Sequence, residues 1–326
     1  MDKTELSIRI KAEALSLGFF ACGIAKADKV DDNTALMYCE WIRQGRNASM
    51  DYLRNNTDKR LNPSLLMPGV KSIVSLALSY APEQTIDAAQ PQIASYALGR
   101  DYHDVVKKLL HTLAGNLGFG EGEYRAFCDT APVLERYWAV KSGIGWIGRN
   151  HQLIIPHAGS MFFLGELFLT VDLLYDRPVE GRCGRCRKCI DSCPTHALYE
   201  GRCSGGMDEG KNIKERQVLF DSNKCINYQT IENRGDISSD VKPFLGNSIY
   251  GCDRCQNACP WNKFARPTDI SEFKPSGELL GMTREKWLNL SEDDYRRLFK
   301  GSAVKRAKYS GLMRNIHDAL DSCGEN

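Results

Sequence analysis

Cys183-Gly-Arg-Cys186-Arg-Lys-Cys189-Ile-Asp-Ser-Cys193-Pro194 is a C-x2-C-x2-C-x3-C-P run. Further on, Cys252-Asp-Arg-Cys255-Gln-Asn-Ala-Cys259-Pro260 answers it with C-x2-C-x3-C-P, and Cys225 lies alone between the two. Together these are eight cysteines, the number two cubane iron–sulfur clusters need at four thiolates each. Cysteines three apart point their sulfurs into one small bowl, with backbone N–H groups facing the sulfides. The local loop then closes, so a fourth ligand comes from elsewhere. In two-cluster ferredoxins the cysteine before the proline ligates the other cluster. The spacing therefore assigns Cys183, Cys186, Cys189 and Cys259 to one 4Fe-4S cluster and Cys193, Cys225, Cys252 and Cys255 to a second. Structural zinc sites also use C-x2-C pairs, but rarely three cysteines at successive x2 intervals, and they need no Cys-Pro ending.

Working outward, Asp176-Arg-Pro178-Val-Glu-Gly181 reads as the linker into this region. The division expected is residues 1–175, then a ferredoxin-like two-cluster domain at 176–265, then a C-terminal helical segment at 266–326. About 175 residues before the first motif are more than an electron carrier needs, so a ferredoxin-type carrier is the weaker reading. The chain has 326 residues, a net charge of +2 and 13 cysteines. That balance gives no global pull toward nucleic acid, so any such binding must come from a local patch. The cysteine usage points to a reducing compartment. Ala25-Lys26-Ala27 looks like a signal-peptidase site, but Asp2, Glu5 and Glu13 spoil a positive n-region. Leu6, Ile10, Ala14 and Leu17 recur at helical spacing instead. No apolar run reaches a membrane span. The expectation is a cytoplasmic protein.

In the N-terminal part, strands are expected at 19–25, 73–80, 124–128, 152–155 and 161–170. A strong helix carries Val105, Val106, Leu109, Leu110, Leu113 and Leu117 and ends at Gly118. Another is expected to open at Pro132 and run through Lys141. The irregular alternation predicts an α+β layer domain. Asp129 falls between a strand end and a helix start, where a side chain either caps the helix or is exposed for chemistry. Gly143-Ile-Gly145-Trp-Ile-Gly148 has dinucleotide-fingerprint spacing, yet it follows a helix and not a strand. It reads as a tight loop for close backbone approach. Tyr199–Gly210 is a Gly-rich charged insertion containing Cys203, a cysteine without a motif partner.

The segments Asp129-Thr-Ala-Pro-Val-Leu-Glu135-Arg136, Gly143–Asn150 and Gly159-Ser-Met-Phe-Phe-Leu-Gly-Glu166 recur together in a known family, as do Cys225–Glu232, Leu245–Cys252 and Pro260-Trp-Asn262. On them the chain resembles epoxyqueuosine reductases from about residue 5 to about residue 320. That family is similar in its core to reductive dehalogenases. The resemblance implies an N-terminal α/β-layer domain that binds cobalamin, two 4Fe-4S clusters, and a tRNA substrate. The reaction it implies converts epoxyqueuosine at the wobble position to queuosine. It implies an external one-electron donor of flavodoxin or ferredoxin type, and no membrane. Asp129 matches the family's proton donor, which should have a raised pKa to be protonated at neutral pH. Arg136 matches a position near the cobalt's lower face. Arg60 lies in a segment that contacts cobalamin, and Leu153 and Leu164 line the corrin through backbone or packing. His103 is a further candidate, for substrate contact or for capping its helix. A dehalogenase-like reductase of a small molecule is the other enzymatic reading. Many members continue into a helical-repeat region that helps hold tRNA. Here the grip is expected to rest on Arg296, Arg297, Lys300, Lys305, Arg306, Lys308 and Arg314, whose other reading is a solvated helix face.

Overall fold

Ser72–Ser79 is apolar on both of its faces, which a strand shows when layers cover both sides. The computed structural model, which describes residues 2–201 and 217–321, places it inside a four-stranded sheet. The strands are β1 (Ala21–Lys26), β2 (Ser72–Ser79), β3 (Tyr124–Phe127) and β4 (Phe162–Leu169), in the order β1-β2-β4-β3. Every neighbouring pair is antiparallel. Val74, Leu76 and Leu78 point to one face. There they meet Ile10 and Ala14 of α1 (Lys3–Ser16) and Val106, Leu110 and Leu113 of α2 (Tyr102–Asn116). Ile73 and Ala77 point to the other, toward Trp138 and Ala139 of α3 (Glu135–Lys141). The period-2 alternation thus sorts one strand's side chains into two helical layers. Gly165 lets α2 come close: a Cβ there would sit 2.7 Å from Val106 Cγ1.

The other half is a single apolar core assembled from distant segments. Ile86, Ile93 and Ala97 share it with Ile226–Tyr250 residues and with Trp287, Phe299, Leu312 and Ile316. A short parallel pairing of Gln92–Ile93 with Ser248–Tyr250 stitches these segments together. The C-terminal helices therefore pack on both the cluster-bearing region and the N-terminal half.

Three local expectations change. The third helix begins at Glu135 and not at Pro132, because Thr130 and Val133 close tight backbone turns onto Cys128 and Ala131 first. Within the expected C-terminal helical segment, residues 303–321 form two pieces, a 3-10 turn Ala303–Ala307 and the helix Lys308–Asp321, broken where Lys308 takes φ 62°. Tyr199 lies in a strand, Leu198–Gly201, paired with Gln217–Phe220. The rest of that insertion, with Cys203, lies outside the described residues. The glycine loop behaves as read. A Cβ on Gly145 would lie 2.2 Å from the Ile154 carbonyl oxygen, so only glycine allows this close pairing.

Candidate active site and cluster-binding region

Asp129 follows the edge strand β3 by two residues and adopts φ 57°. Asp tolerates this left-handed conformation better than most residues, at a cost of about 1 kcal/mol. The side chain does not cap α3, whose cap position is Leu134. It turns instead toward the first turn of α2. Tyr102 Oη donates a short hydrogen bond to Asp129 Oδ2, and His103 Nε2 lies 3.3 Å from the same oxygen. Asp101 caps α2 by accepting from the His103 N–H at 3.0 Å, and it holds His103 Nδ1 at 2.6 Å. One N-cap therefore fixes the imidazole that faces Asp129. Tyr102 is fixed as well, stacked between His103 at 4.1 Å and Phe163 of β4 at 4.3 Å.

The Asp129 side chain is 56% exposed, yet protein surrounds it closely enough for desolvation to be the largest influence on its charge. Both observations hold for a group that opens into a concave space. Arg136, Tyr52 and Tyr96 all feel its charge. Tyr52 also feels Glu232 and Arg306, so the C-terminal half reaches the mouth of this cleft.

The protonation pattern differs from the one expected. Burial pushes the Asp129 carboxyl up, but hydrogen bonds from His103 and Tyr102 and the positive charges of His103 and Arg136 outweigh it, leaving the carboxyl below its usual range. Burial pulls the His103 imidazole down, while Asp101 and Asp129 carry it up to about 9. At neutral pH the proton resides on His103 and the carboxylate is ionised. The groups raised far above the carboxylate range are Glu135 and Glu166. Burial and the Asp129 charge push Glu135 up to about 8, and burial and Glu135 push Glu166 well above its ordinary value.

The other expected residues take up distinct places. Arg60 is buried, with Nη2 and Nη1 at 3.3 and 3.4 Å from the Tyr52 and Val133 carbonyls and Nε without a partner among the described residues. An orphaned guanidinium N–H suits an amide or phosphate oxygen, both of which cobalamin carries. Arg136 donates to the His151 carbonyl oxygen. Leu153 and Leu164 share a small core cluster with Ala77 and Ala139. The Leu153 side chain is buried there, which leaves its backbone to meet any ligand.

The thiols fall into two groups. Cys183, Cys186, Cys189 and Cys259 line one cavity of ≈ 310 Å³, rimmed by Trp261 and Lys263. Burial pushes the Cys189 thiol up to about 11, with Cys259, Cys183 and Cys186 adding to it. Trp146 Nε1 lies 3.5 Å from Cys183 Sγ, a donor of the kind that tunes cluster potentials. The second group is Cys193, Cys225, Cys252 and Cys255. Burial pushes Cys225 up to about 12, and Cys252 and Cys193 add to it; Cys255 is raised by burial and then by the other three. Protein surrounds Cys225, Cys252 and Cys255 more closely than Cys189 and Cys259, although every thiol of this second group keeps partial exposure and Cys189 is buried. Among the described residues no three His, Cys, Asp or Glu side chains close on a single metal ion. Four thiols around a cavity suit a cluster that fills it.

The basic strip is largely committed internally. Arg296 pairs with Glu292, Arg297 with Glu278 and Asp294, and Arg306 with Glu232. Arg314 donates to the Gln229, Asn233 and Gly235 carbonyls. Lys300, Lys305 and Lys308 are exposed and have no ion pair among the described residues. Tyr102, Glu135 and Glu166 were not singled out by sequence reasoning as site residues. The signal for Glu166 was present: a carboxylate in the middle of an apolar strand is unusual enough to mark a site.

Comparison with known proteins finds similarity to one family. Residues 60–130 match the family model described as "Epoxyqueuosine reductase QueG, DUF1730", and residues 182–262 match "4Fe-4S double cluster binding domain". An epoxyqueuosine reductase of Cellulophaga algicola is 40% identical over 316 residues, covering 96% of this chain and 98% of that one. One from Pseudomonas aeruginosa is 37% identical, covering 97% of this chain and 85% of that one. Among solved structures, an epoxyqueuosine reductase with an epoxyqueuosine-modified tRNA-Tyr stem loop superposes with a TM-score of 0.82 at 26% identity, over 97% of this chain and 81% of that one. The Bacillus subtilis enzyme, captured with its catalytic aspartate loop swung out of the active site, superposes at 0.83 and 26% identity, with the same coverage.

Proposed function

The chain belongs to the epoxyqueuosine reductase family, and on that premise we propose that its Asp129 cleft reduces the epoxide of epoxyqueuosine at the wobble position of tRNA to queuosine. The reaction removes one oxygen: epoxide, two electrons and two protons give alkene and water. When bound, the two 4Fe-4S clusters supply electrons singly and cobalamin supplies the reduced cobalt that delivers them to an epoxide carbon. Cys183, Cys186, Cys189 and Cys259 would hold the outer cluster, and Cys193, Cys225, Cys252 and Cys255 the inner. An external one-electron donor of flavodoxin or ferredoxin type would meet the outer site first. Arg60 would hold a polar group of the corrin periphery through its unpartnered Nε, with Arg136 and the backbones of Leu153 and Leu164 along the same wall.

The observation that carries the reading is the Asp129–His103 pair at the floor of the cleft. The leaving oxygen needs a proton, and a positioned acid typically contributes 10²–10⁴-fold. His103 stores that proton at neutral pH, and Asp129 Oδ2, 3.3 Å away, is where it is passed on. Tyr102 keeps the carboxylate from rotating out of line. The test is turnover by the protein reconstituted with iron, sulfide and cobalamin, using tRNA bearing epoxyqueuosine and a chemical reductant. Queuosine should appear in the nucleoside digest. Intact epoxyqueuosine with fully loaded protein would refute the proposal.

A further inference from the structure

Glu166 is wholly buried in mid-β4, opposite Phe127 of β3 and Ser75 of β2, and among the described residues neither carboxyl oxygen has a conventional hydrogen-bond partner. Its polar neighbour is the Glu135 carboxyl in the first turn of α3. Two carboxyl groups in contact away from water cannot both be ionised, so they share a proton. The other end of Glu135 reaches the loop that carries the acid: Glu135 Oε1 accepts the Asp129 backbone N–H. That hydrogen bond supports a residue at φ 57°, in a stretch where α3 has not yet begun. We propose that Glu135 and Glu166 form a proton-sharing latch that holds the Asp129 loop in its working position.

In the latched state Glu166 donates its proton to Glu135, and Glu135 accepts from Asp129. The charged and titratable groups facing the pair are Asp129 and Cys128 from the loop, Arg136 from α3, and His103 from α2; Lys107 of α2 acts on Cys128. Cys128, raised well above its ordinary value by burial and then by Glu135, stays a neutral thiol. Ser75, whose buried hydroxyl lacks a partner among the described residues, faces the pair from β2. Released into water, Glu135 would return to its ordinary value of 4.5, against about 8 when latched. Between those values the closed loop carries a proton that the open loop lacks. Rising pH therefore weakens the latch across that interval, up to roughly tenfold per unit, and the effect levels off above it. Glu135 and Glu166 are positioning residues: they act through Asp129 and touch no substrate atom. The proposal uses the reading of Asp129 as the acid only for its consequence, since its test follows the loop and not turnover.

The experiment is hydrogen exchange at the 127–134 segment of the full chain, corrected for intrinsic pH dependence, at pH 6 and pH 8. Wild type should lose protection between the two. Glu135→Gln keeps an oxygen to accept the Asp129 N–H but cannot titrate, so its protection should be nearly independent of pH. Glu166→Leu, which preserves the apolar core, removes the donor and should lower protection roughly 10- to 100-fold at pH 6. Unchanged protection in Glu166→Leu, or a Glu135→Gln profile that superposes on wild type, would overturn the latch. Loss of conversion with an intact latch profile would count against the functional reading alone.

Discussion

On the proposed reading, Asp129 and His103 divide a task that one residue was expected to perform. A lone aspartate acting as an acid at neutral pH needs a raised pKa. Here the first turn of α2, with His103 and the Tyr102 hydroxyl, stabilises the anion instead. The proton is kept one hydrogen bond away. This has a consequence for pH. The His103 pKa is raised from 6.5 to about 9, so its contribution is complete below the lower value and lost as pH rises through the upper. Single-turnover rates measured from pH 6 to 10 should fall on the alkaline side in wild type. In His103→Gln, which keeps the ring's hydrogen-bonding reach but carries no titrating proton, that limb should vanish and the plateau should drop, by roughly 10²-fold or more. A limb that persists unchanged would assign the acid elsewhere. The sequence contained Asp129, His103 and Arg60 as candidates. It did not contain their partnership, because the pairing depends on where α3 starts. Moving that start from Pro132 to Glu135 turns Asp129 from a possible cap into a group facing α2.

At the scale of elements, the cysteine segments were the most legible part. Ligand spacing is a local geometric demand, and C-x2-C-x2-C leaves few alternatives. Cys225 is the informative exception, since no local motif marks it. It is the residue before the helix Ile226–Ile231, and that helix brings it among Cys193, Cys252 and Cys255. Cys225→Ser should therefore cost the inner cluster and spare the outer, lowering bound iron and sulfide by about half. Retention of both clusters would remove Cys225 from the ligand set. The glycine loop was equally readable: a backbone pressed against Ile154 requires residues without a Cβ. The sheet strands were legible from alternation, whereas their order β1-β2-β4-β3 was not. Alternation fixes which face a residue takes and says nothing of which strand lies beside it.

Over the whole molecule, the two cores meet where the cleft opens. Segment 86–97 leaves the N-terminal half to pack with the C-terminal helices, and Arg306 and Glu232 come to Tyr52 at the cleft's mouth. A linear division of the sequence does not reveal such a return, because apolar periodicity does not name the partner. The same limit applies to the basic strip. Charge count suggested seven phosphate contacts, while the fold engages the arginines with carboxylates and carbonyls and leaves Lys300, Lys305 and Lys308 without an ion pair among the described residues. Replacing Lys305 and Lys308 by Gln should lower the salt slope of tRNA affinity by about one for each lost contact. An Arg306→Gln change should alter the slope less, since its charge is already neutralised by Glu232. Equal slopes in all three proteins would move the tRNA contact to another surface.

The central claim is that this cleft, through Asp129, turns epoxyqueuosine in tRNA into queuosine. The most direct measurement is mass spectrometry of tRNA nucleosides from bacteria that make epoxyqueuosine but lack an enzyme to reduce it, supplied with either the wild-type chain or Asp129→Asn. The wild type should replace epoxyqueuosine by queuosine, while Asp129→Asn, with its iron and cobalamin content unchanged, should leave epoxyqueuosine in place. Epoxyqueuosine persisting beside the loaded wild-type protein, or queuosine restored in full by Asp129→Asn, would contradict it.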